Sequence, residues 1–515
     1  MSDPLDPLGD PTGDEFAADP AFPEQDEPET VERRPLTVRG VAVAGARSVA
    51  GLVAIGIAVT TIAAAALLPL PVVSATPASM TVVPVPTAQQ LVCAGSVLRL
   101  ADDSGAGATT VSALGRPDLR AAASDGRVST DPVSASDAST GGTSSAPTLV
   151  STPPADADAP ETVLVSGAQS ELVEEGDFVG LAAADCDVAN GDSWLAGGST
   201  EVGRTTLLSL TNPSEVPATV NLELFGEDGQ IFAPGTSGII VPANGQRVLS
   251  LAGFQPDIVS PVVHVTSTGG QISATLQQAI VRGLQPGGVD IIASVPALST
   301  TAVIPGVLVT GLDAVQALRG GGDPQFDDVE TTMRVFAQGE GTVTLTVDIT
   351  PEDGAQTGTS FSLDIDAGRV TDVPVEQLAT GSYTISVSAT QPVVASARVT
   401  SASGPRTDFA WFSSAQQLQG TAQLTAAPGP NPVLHLANPS LADAEVVVAA
   451  RGGATVTVTV PAGASGTLPL DSGATYTLSG FDALYAAVTL AQDGMIAGYD
   501  VHPPGVGSAP ILVYP

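Results

Sequence analysis

The sequence predicts a mainly β protein: a single N-terminal transmembrane helix followed by tandem immunoglobulin-like β-sandwich modules. Three observations carry that expectation. Ser48 to Leu70 is an uncharged apolar run, and its 23 residues reach about 35 Å as a helix, against a hydrocarbon core of about 30 Å. From Trp194 onward, short runs of Val, Thr, Leu and Ile alternate with Gly, Pro, Asn and Asp at sandwich spacing, with few helix candidates. Blocks of this β-rich region also recur.

The segments follow in chain order. Residues 1–38 are an acidic tail, with eleven Asp and Glu in the first 32 positions and too little apolar surface to offset chain entropy, so disorder is expected. The anchor region is 39–73. Arg33, Arg34, Arg39 and Arg47 precede the apolar run and no charge follows it until Arg99, which leaves the tail cytoplasmic and the remainder exported. Val73-Ser74-Ala75 also suits signal cleavage, but the apolar run is longer than a signal core and begins late. Residues 74–87 are an uncharged, Pro-punctuated spacer.

Residues 88–193 hold the two cysteines, Cys93 and Cys186, and an even count on the exported side reads as one disulfide. Between them, 102–160 is rich in Ser, Thr, Ala, Asp, Gly and Pro without periodicity and is expected to be a mobile insertion. Three related modules follow at 194–300, 301–420 and 421–515. Leu208-Ser-Leu-Thr-Asn212-Pro213-Ser214 recurs as Leu434-His-Leu-Ala-Asn438-Pro439-Ser440, and the element from Val241 returns at Val460. The middle copy lacks the Asn-Pro. Both Asn-Pro pairs read as structural turns, since Asn bonds nearby backbone and is held extended by the following Pro. Hairpins are expected at Gly269-Gly270, Thr390-Gln391-Pro392 and Asp493-Gly494.

Chemistry is sparse. The net charge of −37 excludes phosphate-backbone binding, and the seventeen basic residues are all Arg, so Lys-dependent nucleophilic mechanisms are absent. His264, His435 and His502 are the only imidazoles; the first two lie in strand-like runs, where packing is the ordinary role. There is no P-loop, zincin or serine-elbow motif. Asp323, Asp327, Asp328 and Glu330 present oxygen ligands without an ordered calcium spacing and read as a solvated acidic turn, and Asp364 and Asp366 share one strand face. No metal, cofactor or catalytic residue is therefore assigned. Trp194, Phe409, Trp411 and Phe412 are the densest aromatic spots; core plugs are their commoner role, and a glycan or partner surface is the alternative.

The order Cys93, Cys186, Trp194-Leu-Ala-Gly197-Gly198, Leu208-x-Leu-Thr-Asn212-Pro213 and Val241-Pro-Ala-x-Gly245 resembles an actinobacterial family of membrane-anchored, secreted β-rich proteins of unknown function. The resemblance covers roughly residues 85–515. It departs in having one Trp before the Gly pair, and Ala94 where Pro is common. It carries no catalytic residues over and implies cell-envelope biology by association. The expectation is a non-enzymatic single-pass envelope protein whose modules form a binding or scaffolding surface for envelope proteins or wall glycan. The alternatives are a glycan-binding accessory subunit of wall-polysaccharide assembly and a carboxylate-dependent envelope enzyme.

Overall fold

The computed structural model describes residues 88–504 except 101–110, 135–145, 155–162, 296, 355–357 and 376–377, together with position 53 and the backbone strands Met80–Val82 and Ile511–Val513. The acidic tail and the apolar run Ser48–Leu70 lie outside the described residues, position 53 apart. Among the described residues no helix is long and apolar enough to cross a membrane. Residues 80–513 form one compact unit, and it is mainly β, with a short helix at Leu312–Gly320.

One strand plan occurs three times after residue 190. In the first copy, Asp192–Ala196, Val262–Gly269, Ala218–Gly226 and Gly229–Ile231 lie side by side, with Ile239–Val241 also on Ala218–Gly226. The other sheet runs Gly245–Ser250, Arg204–Asn212, Ser273–Arg282, Gln285–Ile292. In the second copy, Ser299–Val309, the first part of Gly381–Ser403, Thr342–Pro351 and Thr359–Asp366 match the first sheet. Val370–Pro374, Thr332–Ala337, the second part of Gly381–Ser403 and Arg406–Ser413 match the other. The third copy repeats this with Leu418–Thr425, Thr475–Gln492, Ala444–Ala450 and Thr455–Val460, and then Ser465–Pro469, Val433–Ala437, Thr475–Gln492 and Met495–Asp500. Inward-facing Val, Leu, Ile and Ala alternate with outward Thr, Ser and Asp along these strands, so each copy builds one apolar cluster between its sheets.

Two expected hairpins are sheet crossings. Gly381–Ser403 continues through Thr390-Gln391-Pro392 as one strand and changes sheets there, and Val262–Gly269 and Ser273–Arg282 belong to different sheets on either side of Gly270. The actual hairpins lie one strand later, at residues 283–284 and 404–405, in register with the third expected one at Asp493-Gly494. The sequence comparison slipped by one strand because a sheet crossing and a hairpin both demand a local break in apolar alternation.

The cystine-bearing segment also departs from expectation. Within 102–160, Val111–Ala113, Asp118–Ala123, Ser129–Pro132 and Thr148–Thr152 are paired strands. Small Ala and Ser side chains hid them: Ala122 and Ala123 are buried in a strand that pairs with Val165–Glu175 although neither has the bulk that marks strands in composition. Cys93 and Cys186 are bonded, joining the end of Gln89–Cys93 to the residue after Phe178–Asp185.

Four hairpins with two-residue loops then determine the assembly: Val165–Glu175 with Phe178–Asp185, Ser273–Arg282 with Gln285–Ile292, Gly381–Ser403 with Arg406–Ser413, and Thr475–Gln492 with Met495–Asp500. Their loops carry the left-handed residues such turns require, Gly176, Gly283, Gly404, and Asp493-Gly494. The four second strands pack against one another in a closed cycle. Each is an edge of its own sheet and is buried on both faces. Alternate side chains therefore enter a neighbour's core. Phe409 and Trp411 enter the core of the first copy, Ile496 that of the second, and Leu181 with Ala183 that of the third. Val289 and Ile291 close the cluster of the cystine segment.

Candidate functional site

The ring of four strands concentrates the buried acids. Asp408 sits at its centre. Its Oδ2 accepts the backbone N–H groups of Leu181 at 2.9 Å and Ile496 at 3.1 Å, and its Oδ1 accepts that of Val289 at 3.3 Å. One carboxyl thus satisfies a free sheet edge in each of the other three ring strands. Gly180 and Gly288 make this possible, because a Cβ at either position would stand 2.6 Å from Asp408 Oδ1. Asp290 serves the fourth edge by accepting the Trp411 N–H at 2.6 Å. Burial pushes the Asp408 carboxyl up to about 8 against its four backbone donors, and pushes Asp290 well up, with the Asp408 charge adding to it.

Glu171, buried beside the N–H of Val97 at 2.9 Å, is likewise pushed up to about 7 by burial. These raised carboxyls set a sign for pH dependence. Unfolded, they titrate near 4, so between about pH 4 and 8 the folded chain binds more protons than the unfolded one, and stability falls as pH rises through that window. The melting temperature at pH 5.5 is expected to exceed that at pH 8.5 at fixed ionic strength. A melting temperature that rises across this range would show that Glu171 and Asp408 are ionised throughout.

At the end of the ring away from the hairpin loops lies the densest titratable cluster. The His502 Nδ1 bonds Asp185, and its Nε2 stands 3.5 Å from Asp187 Oδ1 and 3.6 Å from Asp500 Oδ2. Tyr499, Gln423, Thr425 and the Cys186 end of the disulfide share the wall of the adjoining cavity of about 30 Å³, space for one or two waters or a single ion. Burial raises Asp187 to about 6 and Asp500 to about 7. Burial alone would lower the His502 imidazole, and the three carboxylates override it and hold it well above its ordinary range. Asp185 and Asp187 come from the cystine segment, and Asp500 and His502 from the last hairpin and the residues after it.

The other histidines are structural partners. His435 is buried between Glu352, which its Nδ1 meets at 2.5 Å, and the Thr489 hydroxyl, at 2.8 Å from its Nε2. The order hydroxyl, imidazole, carboxylate is that of a nucleophilic triad, but Thr489, His435 and Glu352 are all buried, and the relay joins the second and third copies. His264 lies flat on Trp194 with ring centroids 3.9 Å apart and bridges Glu223 and Asp192.

The aromatic candidates are interior. Trp194, Phe409, Trp411 and Phe412 are 3%, 1%, 2% and 3% exposed, so none offers a face to a sugar. Trp194 stacks with Phe225 and Phe336 between the first two copies, and Trp411 gives its indole N–H to Gln278 at 2.7 Å. Alternation over Phe409-Ala410-Trp411-Phe412 sends Phe409 and Trp411 into one core and Phe412 into another, which is why the run is aromatic on both faces.

The acidic turn is also spoken for. Asp328 receives Arg204 at 2.8 Å, Arg282, and Arg398 at 3.9 Å, and these arginines hold its carboxyl low although burial alone would raise it. Glu330 pairs with Arg319, and Asp323 accepts the Gln325 N–H at 3.1 Å. Asp364 accepts the exposed Thr344 hydroxyl at 2.7 Å.

The Asn-Pro turns share the bonds of their Asn side chains to the backbone. Asn212 Nδ2 donates to the carbonyls of Val216, Pro242 and Val241 and its Oδ1 accepts the Ser214 N–H at 2.9 Å; Asn438 donates to Ala442, Val460 and Pro461 and accepts the Ser440 N–H at 2.9 Å. Replacing Asn438 by Ala strands buried carbonyls and is expected to cost about 2–4 kcal/mol. Asp at this position, which cannot donate, is expected to cost as much. Urea unfolding measures both, and an Asp variant as stable as wild type would refute the donor role.

The groups that sequence reading missed are Asp408, Asp290, Asp185 and Asp500. Their one sequence signal is an Asp within or closing each ring strand, in GLAAAD, GGVDII, DFAWF and IAGYD, where a charge stands inside an otherwise small or apolar run. A search of curated proteins returned no match. The pattern of a family of unknown function, DUF5719, matches residues 136–472 of the 515. That span covers all of the repeated β region through Asp471 and stops short of the last hairpin, and the chain belongs to this family.

Proposed function

We propose that this protein is a non-enzymatic, single-pass envelope protein, held by Ser48–Leu70 with its acidic tail in the cytoplasm. Its tandem β-sandwich modules, immunoglobulin-like in stacking two sheets over one core, act outside as a rigid binding or scaffolding block. One observation carries the reading. Three of the groups able to do acid–base chemistry, Asp408, Asp290, and Glu352 with His435, bond across from one module to another. Exchange of ring strands between cores makes the block move as one piece, which suits a protein that positions others. The disulfide agrees with an oxidising compartment, and the one-sided arginines agree with the orientation. An actinobacterial source and an envelope partner follow from the family resemblance alone.

The test is the full-length chain with a C-terminal epitope, expressed in an actinobacterial host. The epitope is expected in the carbonate-resistant membrane fraction and is expected to be removed by protease added to intact cells. Recovery in the soluble fraction, or an epitope protected until the cells are opened, would overturn the topology.

A further inference from the structure

We propose that the cluster of Asp185, Asp187, Asp500 and His502 holds a first-row divalent cation, Zn²⁺ or Mn²⁺, at the His502 Nε2, and that the ion clips the C-terminal hairpin to the cystine-bearing segment. Asp185, Asp500 and His502 each offer a ligand atom, and these atoms lie within 4.8 Å of one another beside a cavity the size of an ion. A third carboxylate, Asp187, is 3.5 Å from the imidazole Nε2.

The second observation is unspent bonding capacity. Asp500 is 5% exposed, and its Oδ1 has no hydrogen-bond partner; the His502 Nε2, on a side chain 9% exposed, has none either. Orphaned buried polar atoms are rare and call for a ligand or water. Glu171 and Asp290 also leave one carboxyl oxygen without a partner, but neither belongs to a converging group of ligand atoms. Asp328 has three arginines, Asp372 has Arg334, and Asp408 has three backbone donors from neighbouring strands, whereas Asp185, Asp187 and Asp500 share one imidazole as their ion-pair partner among the described residues. Three carboxylates around one imidazole lack positive charge, and a divalent ion supplies it.

Donor chemistry selects the metal. Carboxylates with one imidazole suit Zn²⁺ or Mn²⁺ better than the all-oxygen shells of Ca²⁺ or Mg²⁺. The His502 Nδ1 bond to Asp185 orients the ring, so that Nε2 is the free nitrogen. The consequence is mechanical. The cluster spans residues 185 to 502 and sits beside the disulfide, so a bound ion makes a second fastening of the first hairpin to the last.

The experiment takes the full-length chain purified in detergent, strips it with EDTA and titrates it calorimetrically with ZnCl₂ and MnCl₂, with CaCl₂ as comparison. One tight site per chain is expected for Zn²⁺ or Mn²⁺, with an upward shift in melting temperature, and weakening of about 100-fold or more in D500N and H502Q. No saturable site, a tighter site for Ca²⁺, or equal affinity in both variants would overturn the proposal, the last marking binding to the acidic surface. Should the variants fail to fold, anomalous diffraction from wild-type crystals grown with Zn²⁺ decides. A peak about 2.1 Å from His502 Nε2 supports the site, and peaks only elsewhere refute it.

Discussion

Asp408→Ala is expected to destabilise the chain by roughly 5 kcal/mol or more, enough to remove most or all of the stability of an ordinary folded unit. The variant leaves the N–H groups of Leu181, Val289 and Ile496 buried without an acceptor, one in each of the other three ring strands. Each such orphan costs about 1–3 kcal/mol, and the cavity left by the carboxyl adds to it. Water has no easy path to these groups, because Gly180 and Gly288 bring the backbone directly against the carboxyl. Asp408→Asn should fall between wild type and Ala: its oxygen can keep the Leu181 and Ile496 bonds while its amide faces the Val289 N–H. Urea unfolding of the three proteins checks the order. An Ala variant within about 1 kcal/mol of wild type would mean that the ring strands hold together by apolar exchange alone.

The second large effect is expected at Arg334. Its guanidinium forks onto Asp372 at 2.8 and 2.9 Å, donates to the carbonyls of Gly198, Pro261 and Val259, and lies 4.7 Å from the Trp411 ring. Those carbonyls belong to the first module and Asp372 to the second, so one side chain fastens two modules. Burial alone would raise the Asp372 carboxyl, and Arg334 holds it low. Arg334→Met keeps the length but strands the half-buried Asp372 carboxylate and removes the donors from three carbonyls, at a cost of about 2–4 kcal/mol. Arg334→Lys should rescue little, since a point charge cannot serve a forked carboxylate and three carbonyls together. In the Arg334→Met, Asp372→Leu double variant the loss should be smaller than the sum of the singles, because the orphaned charge is gone. Additive losses would refute the pairing.

Both effects sit at module boundaries, and the boundaries were the least readable part of the sequence. The repeat was legible: Leu208 to Ser214 and Leu434 to Ser440 not only match in letters but fold into the same turn with the same donors and acceptors. The match in the Asn side-chain bonds to backbone survives because Asn212 and Asn438 act on residues within about thirty positions, and local bonding leaves a local pattern. Asp408 acts on residues 181, 289 and 496. No period or spacing announces such a contact, and in the sequence it reads as one more acid among 54.

The aromatic residues teach the same lesson from the other side. Trp194 and Phe409 to Phe412 are visible in the sequence as unusual, with core plugs the commoner role and a glycan or partner surface the alternative. Burial is a property of the assembled ring, in which a strand has a neighbour's core on one face and its own on the other, so the run that looked too apolar for an edge strand was an edge strand inserted between modules. The 102–160 segment failed for the opposite reason. Its Ala and Ser residues lack the bulk that marks strands in composition, yet Asp118–Ala123 pairs with Val165–Glu175 and buries Ala122 and Ala123.

By itself the sequence determined the β class, the three-fold repeat, the turn chemistry of the Asn-Pro pairs and the two cysteines that bond. These rest on alternation, turn propensity and local hydrogen bonding, which act over a few residues. Only the tertiary structure decided that four hairpins close into a ring, that each core is completed by a neighbour's strand, and that Asp185 meets His502 across 317 positions. Those outcomes follow from the burial of sheet edges, and a buried edge must find its hydrogen-bond acceptors wherever in the chain they lie.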